Sequence, residues 1–406
     1  METPFPISAL AESLRRAEAS PFHRERLRGR PIRSLADLSR VPLMTRQDLS
    51  REGPRGLVCV PEEELSQYHE SSGTTGEPVP AWYSRRDLAE IRDRLSRWGV
   101  GFSPGDRVLV RFPYALSTVA HFVHAAAQHA GACVIPAGSR TPITPLARVV
   151  EMLRRLDVTV LCTISLGAVM IAEAAEGLGL DPRRDFPHLR AIGCAGEPLS
   201  PHRRELLEEL WRVPVFDNYG TTETGPLAVA CREGRLHPWR DLFHFELLDE
   251  RLEGEARPGQ TGMLVVTALS ARAMPLVRYV TGDRAALVGE RCGCGGEETL
   301  RVRGRAEETV RIGGHDFDQW ELSDIVARLP CRRFWRAFEV PGGLRFVVER
   351  ERPDDRVHPG LLAELSRDHG VNIDVEISPK GTLYDRSEPV SFGMRAKPVY
   401  VQPVKG

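Results

Sequence analysis

Between residues 86 and 225, helical and strand patterns alternate along the chain, and this alternation restricts the fold more than any other feature. The segment RDLAEIRDRLSRW (86–98) has apolar residues at helical spacing, whereas DRVLVRF and GACVIPAG are short apolar runs bounded by turn residues. The alternation continues through ARVVEMLRRL, DVTVLCTI, LGAVMIAEAAEGLG, LRAIGCAGE, PHRRELLEELW and VPVFDNYGTTETG. Such units favour an α/β fold with a largely parallel sheet. Ligands of these folds bind at the carboxyl ends of the strands.

The pattern changes in the last part of the chain. HFELLDE, TGMLVVTAL and PLVRYVTGD indicate β-rich structure with short turns. From Gly304 onward, the strand and helix candidates GRAEETVRIGG, DQWELSDIVARL, LRFVVERE and PGLLAELSRDHG indicate a smaller α+β module. We therefore predict an α/β protein with a large N-terminal domain (1–304), which has mixed or parallel sheets flanked by helices and a β-rich subdomain. A small, mobile α+β C-terminal domain (305–406) follows it.

The charges of the chain nearly balance. With 55 basic and 56 acidic side chains in 406 residues, no net field attracts nucleic acid or a membrane surface. The N-terminal segment lacks a basic stretch followed by an apolar core, and nowhere do 18 apolar residues stand together. We expect a cytoplasmic protein with small-molecule partners. Because the only lysines are Lys380, Lys397 and Lys405, chemistry that needs a lysine has few candidates.

A short loop rich in hydroxyl groups and glycine, SSGTTGEPV (71–79), is the first candidate for ligand binding. It differs from the common nucleotide-binding P-loop because no lysine follows its glycines. Backbone N–H and hydroxyl groups of such a loop can still surround a phosphate. Gly, Ser and Pro are also frequent in ordinary surface turns, so the loop by itself leaves both interpretations open.

Three cysteines and a histidine have the spacing of a metal site. Cys231 and His237 are separated by five residues, and Cys292 and Cys294 lie in the glycine-rich turn RCGCGGE. A Cys3His set suits tetrahedral Zn²⁺ in a structural site with no open position. The alternative is three buried or unpaired thiols beside a surface histidine. The close Cys292 and Cys294 pair favours zinc.

Five motifs occur together in an order that resembles one enzyme superfamily. They are SSGTTGEPV, NYGTTETG (218–225), YVTGD (279–283), GRAEETVRIGG (304–314) and a C-terminal lysine. The chain resembles the adenylate-forming acyl- and aryl-CoA synthetases, and in particular their phenylacetate-CoA ligase branch. VPLMTRQDL and PKGTLYDRSE are similar to flanking segments of that branch, so the resemblance covers nearly the whole chain.

The resemblance implies a nucleotide site. The loop would order the β and γ phosphates of ATP through Ser71, Ser72, Gly73, Thr74, Thr75 and Gly76. The second motif would supply a ring that stacks on adenine (Tyr219), its neighbours Asn218 and Gly220, and a phosphate contact from Thr221 or Thr222. Glu223 would bind Mg²⁺. Asp283 resembles the aspartate that accepts hydrogen bonds from the ribose hydroxyls, and Arg305 the arginine beside ribose and phosphate.

The resemblance also implies a mobile C-terminal module and an acid pocket. Glu307 stands where the superfamily has its hinge, although the sequence EE replaces the usual acidic pair DD. Lys397 is the expected adenylation lysine, with Lys380 as the runner-up. The segment FGMRAKPVYV departs from the family pattern by placing Arg395 near the expected position, so the register stays open.

The acid pocket is implied by two segments. RFPYALSTVAHFVHA (111–125) holds Tyr114 and His121, which would line an aromatic slot or belong to a helix core. CAGEPLS (194–200) holds Ala195 and Gly196, small residues that favour a flat acid.

These features together predict an enzyme, an AMP-forming aryl acid–CoA ligase that uses ATP, Mg²⁺ and coenzyme A and carries a structural Zn²⁺. The acid would be a benzoate, an aminobenzoate or a phenylacetate. One alternative is a stand-alone adenylation enzyme that loads a carrier protein. Another is a non-catalytic nucleotide-binding relative.

Overall fold

A computed structural model describes residues 7–71, 78–257, 259–270, 272–384, 386 and 400–402. The chain divides into two compact units, each assembled from separate stretches of sequence. The first unit consists of Met1–Gly105, Pro113–Cys133 and Phe216–Arg301. The second unit consists of Asp106–Phe112, Val134–Val215 and Val302–Gly406.

The described helices are α1 (Ile7–Ala17), α2 (Pro21–Leu27), α3 (Leu35–Leu38), α4 (Arg46–Arg51), α5 (Arg85–Leu95), α6 (Thr118–His129), α7 (Leu146–Arg155), α8 (Ser165–Gly177), α9 (Pro201–Trp211), α10 (Gln319–Ala327) and α11 (Pro359–His369). The described strands are β1 (Leu65–Glu70), β2 (Pro80–Ser84), β3 (Arg107–Val110), β4 (Cys133–Pro136), β5 (Val160–Thr163), β6 (Ala191–Ala195), β7 (Val215–Thr221), β8 (Gly225–Ala230), β9 (Leu236–Pro238), β10 (Phe243–Leu248), β11 (Gly262–Ala268), β12 (Tyr279–Val288), β13 (Thr299–Arg305), β14 (Val310–Ile312), β15 (His315–Phe317), β16 (Trp335–Val340), β17 (Gly343–Glu349), β18 (Asn372–Ser378) and β19 (Val401–Gln402).

The first unit is rich in antiparallel strands. β7, β8 and β9 pair antiparallel in sequence order, and β10, β11 and β12 do the same. β8 is buried along its whole length, so both of its faces are covered. β1 and β2 form a separate antiparallel pair on either side of the 71–79 loop. Helix α5 begins directly after β2, where Ser84 and Asp87 form a capping box that satisfies the first backbone N–H groups.

The second unit contains the parallel strands that the alternating pattern predicts. β3 pairs with β5, and β5 pairs with β6, in parallel register. Helices α7, α8 and α9 supply most of the residues that pack with these strands into one hydrophobic core. Loops that could hold a ligand therefore follow the carboxyl ends of buried, rigid strands. One of them leads from Ala195, the last residue of β6, to α9.

The C-terminal part of the second unit has a small sheet and a hydrophobic cluster of its own. The strand order is β18–β17–β16–β19, in which β16 and β17 are antiparallel and the other two pairs are parallel. Buried side chains between Val310 and Val401 form the cluster, among them Phe317, Leu322 and Phe346.

The observed fold confirms the predicted fold class, since it is a mixed α/β fold with a large mixed sheet flanked by helices. The predicted domain boundary near residue 304 stays a prediction. No helix among the described residues is both long and apolar enough to cross a membrane.

Candidate active site

Two nucleotide-site candidates of the first unit are hydrogen-bonded to each other. Tyr219 lies on β7 and Asp283 on β12, and the tyrosine hydroxyl donates to Asp283 Oδ2 at 2.7 Å. Asp283 is buried, and its backbone N–H donates to Thr281 Oγ1 at 3.1 Å. The strand register thus brings together the residues that the resemblance assigns to adenine and ribose.

The turn between β7 and β8 fixes the candidate catalytic residues. The N–H groups of Thr221 and Thr224 each donate to the other's hydroxyl oxygen, at 3.1 and 3.3 Å. Gly225 has a φ of +70°, which favours glycine. A Cβ atom at Gly220 would lie 2.3 Å from the Gly225 carbonyl oxygen. The glycines of the NYGTTETG motif are therefore needed for the turn itself.

Two tyrosines hold Thr222 and Glu223, and sequence reasoning missed both. The Tyr279 hydroxyl donates to Glu223 Oε1 at 2.6 Å, and the Tyr83 hydroxyl donates to the Thr222 carbonyl oxygen at 2.6 Å. Burial raises the pKa of Tyr83 well above its ordinary value, so this hydroxyl keeps its proton. Tyr279 stands in the YVTGD motif, which was the available signal, whereas no pattern identified Tyr83.

The phosphate loop is described at its ends. Ser71 Oγ accepts hydrogen bonds from the Val79 N–H at 2.9 Å and from Arg46 Nη2 at 2.8 Å. Arg46 is the first residue of α4, and sequence reasoning did not select it as a site residue. The structure therefore places a guanidinium beside a loop whose sequence has no lysine. The remaining loop candidates lie outside the described residues, namely Ser72, Gly73, Thr74, Thr75 and Gly76.

The acid-pocket candidates Tyr114 and His121 contact each other in the first unit. Their ring centroids are 5.4 Å apart, and His121 Nε2 lies 2.9 Å from the Tyr114 carbonyl oxygen. His69, which sequence reasoning missed, lies 5.3 Å from the His121 ring, and the Tyr114 hydroxyl lies 3.1 Å from His124 Nδ1. Burial and the charge of His121 lower the pKa of His69 to about 4. The imidazole of His69 is therefore neutral near pH 7.

The other acid-pocket candidates belong to the second unit. Ala195 is buried at the end of β6, and Gly196 follows it with a φ of +92°. The next residue is Glu197, a buried carboxylate that sequence reasoning did not select. Its Oε1 accepts hydrogen bonds from Ser165 Oγ at 2.6 Å and from the Leu166 N–H at 2.7 Å.

The remaining candidates of the second unit lie after Gly304. Arg305 is the last residue of β13, and Glu307 lies in the short 3-10 turn that follows. Lys380 Nζ lies 3.5 Å from Glu173 Oε1 on α8. Lys397 and Arg395 lie outside the described residues.

The four candidate zinc ligands come together in the first unit. One ligand atom from each of Cys231, His237, Cys292 and Cys294 lies within 4.8 Å of every other. Cys231 Sγ is 3.6 Å from Cys292 Sγ, and Cys294 Sγ is 3.1 Å from His237 Nε2. Around tetrahedral Zn²⁺, two sulfur ligands are about 3.8 Å apart and a sulfur and a nitrogen ligand about 3.5 Å apart, so the observed separations lie within about 0.4 Å of these values. The other ring nitrogen, His237 Nδ1, lies 2.8 Å from the Glu298 carbonyl oxygen, a contact typical of a histidine that binds metal.

Comparisons with known proteins agree with the fold. A family model described as AMP-binding enzyme matches residues 32–268. The phenylacetate-coenzyme A ligase of Pseudomonas putida is 32% identical over 382 residues, which cover 87% of this chain and 83% of that protein. The phenylacetate-coenzyme A ligase of Thermus thermophilus is 31% identical over 86% of this chain and 78% of its own. A crystal structure of 2-hydroxyisobutyryl-CoA ligase in the postadenylation state, with 2-HIB-AMP bound, has a TM-score of 0.86 at 22% identity, covering 98% of this chain and 89% of that chain.

The mixed α/β fold and these similarities define the class of protein, an adenylate-forming ligase. The chain belongs to the AMP-binding enzyme family. It is an ATP-dependent acid–CoA ligase that acts through an acyl-adenylate, which confirms the predicted superfamily and enzyme class. The roles of the individual residues remain predictions.

Proposed function

We propose that this enzyme activates a planar aryl carboxylic acid of the benzoate, aminobenzoate or phenylacetate type and transfers it to coenzyme A. The carboxylate oxygen attacks the α-phosphorus of ATP, the bond to pyrophosphate breaks, and an aryl-adenylate forms. The thiol sulfur of coenzyme A then attacks the acyl carbon, the thiol proton is lost to solvent, and AMP leaves. The contact between Tyr219 and Asp283 is the main structural support, because it joins the two side chains assigned to adenine and ribose.

The acid class is supported by the residues of the two candidate pocket segments and by the names of the two relatives. Tyr114 and His121 offer flat rings, and the neutral His69 adds polarity without charge. Ala195 and Gly196 leave little bulk beside the β6 end. Rings of this kind suit an aryl group with a small polar substituent better than a long flexible chain.

Glu223 is the residue we assign to Mg²⁺. Carboxylate oxygens are ligands that Mg²⁺ prefers, and the hydrogen bond from Tyr279 holds this carboxylate in one orientation. The bound ion would offset negative charge on the phosphates as the acid approaches. Thr222 would contact phosphate, and its backbone is fixed by Tyr83.

Lys397 is the lysine we assign to the adenylation step. An ammonium group can balance the charge between two anionic reactants. Lys380, the runner-up, already has a carboxylate neighbour in Glu173. Glu307 would act as the hinge of a C-terminal domain (305–406) that moves between the two half reactions. The separate hydrophobic cluster between Val310 and Val401 supports such a domain.

A structural Zn²⁺ is the last part of this proposal. Cys231, His237, Cys292 and Cys294 supply four ligands from two turns and a strand, with separations that suit a tetrahedral ion. With four protein ligands, no position is left for a reacting water molecule, so the ion would serve stability.

A panel of acids tests the proposed function. Purified protein is assayed with ATP, Mg²⁺ and coenzyme A for AMP release and CoA thioester, using benzoates, aminobenzoates, phenylacetate and octanoate. We expect an aryl acid to give the fastest thioester formation, and faster turnover of octanoate would contradict the aryl preference. Acid-dependent exchange of labelled pyrophosphate into ATP without thioester formation would instead indicate a carrier protein as acceptor. ATP binding without exchange would indicate a non-catalytic relative.

A further inference from the structure

Glu197 connects three parts of the second unit through one carboxylate. Oε1 accepts hydrogen bonds from Ser165 Oγ and the Leu166 N–H, which both belong to the first turn of α8. Oε2 accepts a hydrogen bond from the Tyr400 hydroxyl at 3.0 Å. Both side chains of the Tyr400–Glu197 pair are buried, at 6% and 8% exposure.

The bonds to α8 explain why a charged residue is tolerated here. The first N–H groups of a helix have no partner within the helix, and the helix dipole favours a negative charge at this end. Glu197 satisfies one of these groups, that of Leu166, and so holds the loop after β6 against α8. This local role does not require Tyr400.

Tyr400 belongs to the C-terminal module. Its ring lies 4.9 Å from the Trp335 ring, and its carbonyl oxygen accepts a hydrogen bond from the Ala337 N–H at 2.7 Å. The following residue, Val401, pairs with Ala337 in the β16–β19 ladder. The backbone and ring of Tyr400 are therefore fixed in the module core, while its hydroxyl reaches the loop that follows β6.

The C-terminal module makes other contacts with the same part of the unit. The ion pairs Arg332–Glu209 and His202–Asp324 have mostly exposed side chains, whereas the Ser200–Ser323 hydroxyl pair is buried. Exposed ion pairs contribute little because water and salt screen them. A buried hydroxyl bonded to a buried carboxylate costs more to separate, since each group loses its partner before water replaces it.

We propose that the hydrogen bond from Tyr400 to Glu197 anchors the C-terminal module against the β6 loop and positions it for the adenylation half reaction. Glu197 and Tyr400 act as positioning residues, distinct from groups that touch the reactants. This inference rests on the proposed function, in which Lys397, three residues before Tyr400 in sequence, serves adenylation.

The test compares Tyr400→Phe with the wild-type enzyme in two separate assays. Adenylation is measured as acid-dependent exchange of pyrophosphate into ATP, and thioester formation is measured from supplied aryl-adenylate and coenzyme A. Loss of one hydrogen bond to a charged acceptor should slow adenylation on the order of tenfold, whereas thioester formation should change less than about twofold. The rate ratio is decisive because a general loss of stability would lower both.

Tyr384→Phe is the matched control. Tyr384 is also buried, and its hydroxyl donates to the Trp335 carbonyl oxygen at 3.2 Å rather than to Glu197. It should leave the ratio of the two rates unchanged. Equal losses of rate in both half reactions for Tyr400→Phe, or no loss in adenylation, would contradict the proposal that this hydrogen bond anchors the C-terminal module.

Hydrogen exchange separates failure of the anchor from failure of the proposed function. Helices α9 and α10 contact each other, and Ser200 Oγ at the N-cap of α9 lies 2.6 Å from Ser323 Oγ within α10. Their amides should exchange faster in Tyr400→Phe than in the wild type or in Tyr384→Phe. If amide exchange is faster in Tyr400→Phe but the wild-type enzyme shows no pyrophosphate exchange, the proposed function is rejected. The anchoring role of Tyr400 is then still supported. If amide exchange in Tyr400→Phe equals that of the wild type, the anchoring role of Tyr400 is rejected, even if the wild type is active.

Discussion

The Glu223 carboxylate, in the turn between β7 and β8, accepts a hydrogen bond from Tyr279 on β12. The turn that carries Glu223 is itself fixed by Thr224 and by two glycines. The hydrogen bond and the turn thus restrict the Glu223 side chain to one orientation. Orientation of this kind is what a residue needs when it must hold a metal ion against phosphate.

Replacement of Tyr279 by phenylalanine tests this orientation. Because Glu223 loses its donor, we expect adenylation to fall on the order of tenfold and the Mg²⁺ concentration for half-maximal rate to rise. The measurement is pyrophosphate exchange over a range of Mg²⁺ concentrations. Tyr68→Phe is the control, since the Tyr68 hydroxyl donates to Glu70 instead. An unchanged Mg²⁺ dependence in Tyr279→Phe would refute the assignment of Glu223.

The adenylation lysine gives a second prediction at the residue scale. Lys397→Ala should slow adenylate formation on the order of a thousandfold, because the charge between the reactants is no longer balanced. Thioester formation from supplied aryl-adenylate should largely survive. Lys380→Ala is the matched control and should leave both rates near the wild-type values. Equal loss in both half reactions of Lys397→Ala would direct attention to Lys380 or Arg395.

The Cys3His cluster shows how short elements are joined by side chains. Cys231 follows β8, His237 lies on β9, and the turn with Cys292 and Cys294 precedes β13. A Cβ atom at Gly296 would lie 2.3 Å from His237 Cε1, so a larger residue would collide with the ring. A metal ion here would clamp the β8–β9 hairpin to the glycine-rich turn.

Metal analysis checks the proposed clamp. Purified protein should contain about one zinc per chain, and Cys292→Ser or Cys294→Ser should lose the metal and unfold at a lower temperature. Cys133→Ser, which replaces an exposed cysteine outside the cluster, is the control and should keep the zinc content and the unfolding temperature of the wild type. If Cys292→Ser retains its zinc and its thermal stability, the site assignment is wrong.

The stability of the whole molecule should depend on pH through its buried histidines. Burial and the charge of Arg26 lower the pKa of His23 from 6.5 to about 3, and burial lowers that of His69 to about 4. Between pH 6.5 and 4, the unfolded chain therefore binds protons that the folded chain does not. Above pH 6.5 these residues do not lower the free energy of unfolding, and below pH 6.5 the free energy of unfolding decreases as the pH falls.

Urea unfolding at several pH values between 4.5 and 8 measures this loss. Each buried histidine should lower the free energy of unfolding by roughly 1 kcal/mol per pH unit below pH 6.5. His23→Gln removes one such group and should flatten the slope below pH 6.5. His188→Gln, which changes an exposed histidine, is the control and should keep the wild-type slope. A slope in His23→Gln equal to that of the wild type would contradict the prediction.

The sequence by itself determined most of the order of helices and strands between residues 86 and 221, because apolar periodicity is a local property of the chain. It also determined the motif set and the four metal-ligand candidates, since ligand type and spacing are read directly from the chain. The tertiary structure alone decided which distant side chains meet. The Tyr279–Glu223 and Tyr400–Glu197 partners are separated by 56 and 203 residues. Strand register and module packing bring them together, and no periodicity of the sequence encodes those pairings.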